Sequence, residues 1–178
     1  MGQKWQKITG VLVFGVFFGL LEAIVVVYLR EVLSVTNPGS TIISPDNIAF
    51  SLGLIAFLKP SATLLIINSE RLLALELWRE ASTIIMLITL AWVTGKYLLE
   101  KLAYFFLAFA VWDIFYYIFF YLLTGRPGGL FDSDIFFLIP VAWVGPVITP
   151  VTISSLLIIL AFFILLRVIP KPGEDGLV

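Results

Sequence analysis

The chain has no cysteine and no histidine, and charged side chains make up only 13% of its 178 residues. Without cysteine there is no disulfide, thiolate nucleophile, iron–sulfur cluster or Cys-ligated zinc. Without histidine there is no His-ligated haem, no usual zinc or di-iron site, no Ser-His-Asp triad and no imidazole switch near neutral pH. Any proton or metal chemistry must therefore run on carboxylates, tyrosine, lysine or arginine. The net charge of −1 gives no electrostatic case for nucleic acid. A hard divalent cation such as Mg²⁺, Mn²⁺ or Ca²⁺ on oxygen ligands stays open as a cofactor.

What the chain has instead is apolar surface: 61% hydrophobic residues, 15% aromatic and a mean hydropathy of +1.09. Soluble domains are about half apolar and about a quarter charged. The excess here cannot fit inside one small core, so a lipid bilayer is the expected solvent for much of it. The fold class expected is a single all-α polytopic membrane domain. Four spans are expected, over residues 8–29, 72–94, 102–124 and 149–167, each near the ~20 residues that cross a bilayer core. The start, MGQKWQK followed by an apolar run, has the charged flank of a signal peptide. The run is long enough to span and offers no small-x-small cleavage site, so it reads as a retained anchor helix. Residues 171–178 form a short polar tail.

Two stretches do not read as ordinary spans. Residues 135–148 contain Pro140, Gly145 and Pro146; proline removes a backbone donor and clashes with the preceding turn, so a broken or re-entrant helix lining an internal cavity is expected. In residues 48–67, Lys59-Pro60 interrupts the run, which points to a re-entrant or interfacial segment. If that stretch does not cross, Lys4, Lys7, Lys96, Lys101, Arg167 and Lys171 share one side. The positive-inside rule then puts both termini in the cytoplasm, with the plasma (inner) membrane the expected location.

The sharpest feature is the charge inside the apolar runs. In LALELWREASTIIML, Glu76, Arg79 and Glu80 fall within one turn and a half, although a charge at mid-bilayer costs ~2.5–3.5 kcal/mol even on the lenient insertion scale. Glu76 and Glu80 are at i,i+4 on one helix face, with Arg79 beside them. The expected topology puts these three, Glu22 and Asp113 between the bilayer midplane and its outer boundary. Tyr116 and Tyr117, at i+3 and i+4 from Asp113, stand on its face as hydrogen-bond donors. Such a cluster would hold protons, bind a cation or open to water; alternatively Arg79 clamps one carboxylate to hold helices together.

Weaker signals lie near the outer boundary. Asp134 in FDSDIFF is a good N-cap for a short helix, and Asp132 with Asp134 could instead ligate a hard cation. Arg30 and Arg126 suit headgroup snorkelling, or contact with an anionic ligand. Three functions stay open: binding or transport of a proton, metal ion or small cationic solute; a membrane-embedded enzyme acting on a lipid or other hydrophobic substrate; or an accessory subunit of a larger membrane complex. A homo-oligomer fits any of them.

Overall fold

The computed structural model describes residues 2–33, 44–67 and 69–168; the polar tail 171–178 lies outside them. The chain is mostly helical. Helix α1 spans Gly2–Leu33, α2 Pro60–Ile66, α3 Glu70–Thr94, α4 Leu98–Thr124 and α5 Ile148–Phe163, the last continuing as a π-helical turn over Ile164–Val168. Four short strands complete the architecture: β1 Ile48–Leu52, β2 Ile55–Leu58, β3 Ser133–Phe137 and β4 Trp143–Pro146.

Helix α4 is the central element, with α1, α3 and α5 packed on it. Small residues make this packing close. Ala103, Ala108 and Ala110 of α4 are fully buried. On α1, a Cβ added to Gly19 would stand 2.8 Å from both the Trp112 carbonyl oxygen and the Tyr116 amide nitrogen of α4. Only glycine lets the two backbones meet there. Tyr104, Leu107 and Val111 of α4 fill the core with Ile8 and Val11 of α1, Leu87 and Ala91 of α3, and Ala161 and Leu165 beyond. Helix α4 stops at Gly125, whose φ of 69° is the left-handed conformation that ends helices.

Three helical stretches are long and apolar enough to cross a membrane: Gly2–Glu31, Leu98–Thr124 and Ile148–Arg167. They are compatible with an integral membrane protein, and Phe17, Leu21, Leu122, Ile159 and Phe163 on them present exposed apolar side chains. Helix α3 is 25 residues long but is not among the three. Its first half carries Glu70, Arg71, Glu76, Arg79 and Glu80.

The expectation of an all-α chain is corrected by the sheet, which has the order β1-β2-β4-β3. Its adjacent strands are all antiparallel. Residues 135–148 do not form a broken helix: they supply most of β3, a turn containing Pro140, and β4. Residues 48–67 form the β1–β2 hairpin, turning at Gly53 with φ 59°, and then α2. The physical reason is backbone accounting. A helix interrupted by Pro140, Gly145 and Pro146 leaves donors and acceptors unmatched, whereas ladder pairing of Ala56 with Val144 and of Ile135 with Val144 satisfies them. Leu58, Ala62, Ile66, Ile67, Leu138 and Val144 make a second apolar cluster that joins sheet and α2.

Candidate functional site

The inward face of α3 explains its charges. Its buried residues are Glu76, Glu80, Thr83, Leu87 and Ala91, a stripe at helical spacing whose first two positions are acidic. Leu75, Trp78, Ile85, Ile88 and Trp92 are exposed. The carboxylates thus occupy the side of α3 that faces the protein.

They line a partly open cavity of about 110 Å³. Its wall includes Glu22 from α1, Glu76, Arg79 and Glu80 from α3, Asp113, Tyr116 and Tyr117 from α4, and the β3 end from Ile135 to Leu138. Arg79 is the hub: it forms ion pairs with Glu22 and, through Nε at 2.7 Å, with Glu76. Gly19, where α1 meets α4, lies three residues before Glu22.

Glu80 is treated differently. Both its oxygens accept the Leu138 backbone N–H, at 2.9 and 3.1 Å, which ties α3 to the residue just after β3. Asp113 is separate again. It lines the cavity, but its hydrogen bond comes from the Ser154 hydroxyl of α5 at 2.8 Å, so it does not join the Arg79 cluster. Among the described residues, then, Glu22 and Glu76 share a guanidinium, whereas Glu80 and Asp113 have only neutral donors.

Arg30 also lines this cavity and a second one of about 330 Å³ toward the end of α4. The structure brings Arg30 and Arg126 together on the wall of the second cavity, with Asp132 and Asp134. Arg30 donates to Asp134 Oδ1 at 2.7 Å, and its guanidinium lies 4.4 Å from the Phe120 ring centroid. Asp134 does not cap a helix: it lies in β3, opposite Gly145. Burial pushes the Asp134 carboxyl up from its ordinary value, with the Arg30 charge and the Ile135 amide offsetting part of that. Its second oxygen, Oδ2, is buried without a hydrogen-bond partner. Asp132 Oδ2 accepts the Gly128 and Gly129 amides at 2.7 and 3.2 Å, organising the turn before β3. Among the described residues there is no group of three or more Asp and Glu side chains gathered as a metal cage.

Sequence reasoning did not find Ser154, the Leu138 amide, or the Arg30–Asp134 pair. The first had a signal in the polar Ser154-Ser155 step inside an apolar helix, where hydroxyls commonly hydrogen-bond across helices. The other two had none, since each depends on strand placement. Comparison with protein-family models, curated proteins and solved structures finds no match to this chain.

Proposed function

We propose that the protein is a four-span membrane protein whose inner cavity binds, and in transport passes on, a proton or small cation. Helix α3 is the fourth span, turning its exposed apolar face to lipid and its acidic face inward. Residues 48–67 do not cross, so both termini lie on one side, which the distribution of lysine and arginine makes the cytoplasmic side.

The observation that carries this reading is the uneven pairing inside the cavity. Carboxylates outnumber guanidiniums on its wall, and two of them, Glu80 and Asp113, meet only neutral donors. A largely buried carboxylate with no ion-pair contact is costly, and a bound proton or cation relieves that cost. Intramembrane acids beside irregular backbone are also a recurrent arrangement in transporters. The accessory-subunit reading gains nothing from this geometry, because Glu22, Glu76, Arg79 and Arg30 find their partners within the chain.

The test is reconstitution of the full chain into liposomes holding a pH-sensitive dye, with an imposed cation or proton gradient. Wild-type protein is expected to dissipate the gradient or exchange cation for proton, and Asp113→Asn to slow it strongly. Flux equal to that of protein-free liposomes, together with no cation or proton uptake by the purified protein, refutes the reading.

A further inference from the structure

We infer that the occupant of the inner cavity is a protonated amine carrying a hydroxyl or carbonyl oxygen a few bonds away. This rests on the cation-binding reading above and names its ligand class.

The cavity wall is unlike a metal cage. A hard divalent ion takes about six or more oxygen ligands, yet here Glu22 and Glu76 are engaged by Arg79, and both Glu80 oxygens meet the Leu138 amide. Asp113 stands as the one carboxylate on the wall tied only to a hydroxyl. Around it the lining is aromatic: Trp112, Tyr116 and Tyr117 on the same helix, and Phe137 from β3. Rings of this kind stabilise an organic ammonium through their negative faces, and Asp113 supplies its counter-charge. The apolar remainder of the wall, including Val26 and Ile66, accepts a short carbon body but solvates a bare metal ion poorly.

A second, independent observation concerns Trp112. It is 6% exposed, lies on the cavity wall, and its indole Nε1 is buried without an acceptor. A buried donor of this kind requires an acceptor, and the residues around it provide none. An oxygen atom on the ligand satisfies it while the ammonium meets Asp113, the next residue in the same helix. The two neighbouring residues would thus read the two ends of one small molecule.

The experiment is calorimetric titration of the full-length protein in lipid nanodiscs at neutral pH. The probes are 2-aminoethanol, propylamine (the same size, without the oxygen), Na⁺ and Mg²⁺. We expect 2-aminoethanol to bind about fivefold more tightly than propylamine, the worth of one buried hydrogen bond. Asp113→Asn weakens both amines by more than tenfold. Trp112→Phe keeps an aromatic ring but no N–H, so within that variant 2-aminoethanol and propylamine are expected to bind equally, and the inference remains testable if the Asp113 variant fails to fold. Binding of Na⁺ or Mg²⁺, or proton uptake, without amine binding overturns the amine and leaves the cation site standing. Equal affinity for the two amines overturns the Trp112 contact. No binding of any probe and no proton uptake overturns both this inference and the reading beneath it.

Discussion

Replacing Arg79 tests the site at its centre. Arg79 holds Glu22 of α1 and Glu76 of its own helix, so Arg79→Leu leaves two carboxylates facing each other in a largely buried space with no counter-charge. Removing one partner of a buried ion pair costs about 3–5 kcal/mol. The Arg79 side chain is 24% exposed, so some of that charge is screened and the lower end, about 3 kcal/mol, is the expected loss. Arg79→Lys keeps the charge but not the planar fork that reaches two acceptors at once, and should lose about 1–1.5 kcal/mol, one hydrogen bond's worth. Neutralising the acids as well, with Glu22→Gln and Glu76→Gln added to Arg79→Met, should recover most of the loss, because no orphaned charge remains. Stability is read by tryptophan fluorescence during denaturant titration in mixed micelles, with the native-state helicity of each variant checked by circular dichroism. If Leu and Lys at position 79 are equally mild, within about 0.5 kcal/mol of wild type as for isolated surface charges, the buried hub is refuted.

Other outcomes follow from the same geometry. Gly19→Val should separate α1 from α4, since its Cβ would stand 2.8 Å from backbone atoms of Trp112 and Tyr116; about 1–3 kcal/mol of lost stability, seen in the same micelle assay, would be accompanied by weaker cation binding. Arg30→Leu leaves Asp134 buried without its guanidinium and removes the contact with Phe120, so about 3 kcal/mol is expected to be lost, and Asp134→Asn in that background should restore much of it. The Asp134 carboxyl titrates above its ordinary value of 3.8 in the folded protein, so the folded state binds this proton more tightly than the unfolded chain. Its contribution is therefore present below 3.8 and is lost as pH rises through the shifted value; stability measured across that window should fall less in Asp134→Asn than in wild type. Ser154→Ala strips Asp113 of its hydroxyl donor and is expected to destabilise α4–α5 packing by about 1 kcal/mol, the usual worth of such a bond, as read by thermal unfolding.

The apolar stretches are legible along the chain because helix formation is a local matter: a helical run satisfies its own backbone and needs no distant partner. Glu76 and Glu80 can likewise be placed on one face, with Tyr116 and Tyr117 beside Asp113, because the helical repeat fixes those neighbours. A strand works otherwise, since its ladder hydrogen bonds are all made to other segments. Residues 135–148 read as a proline-broken helix because nothing within them announces that Val144 pairs with both Ala56 and Ile135. The same limit hid the Arg30–Asp134 bond, whose partners stand 104 positions apart, and the Ser154–Asp113 bond across 41. Sequence by itself therefore determined the apolar character, the absence of thiol and imidazole chemistry, and the acids embedded in the helical runs. Only the tertiary structure decided that Glu22 and Glu76 pair with Arg79, that Glu80 is held by an amide and Asp113 by a hydroxyl, and that all four line one cavity. Those pairings join α1 to α3, α3 to the residue after β3, and α4 to α5, and such distances arise from packing between segments rather than from the residues of any one of them.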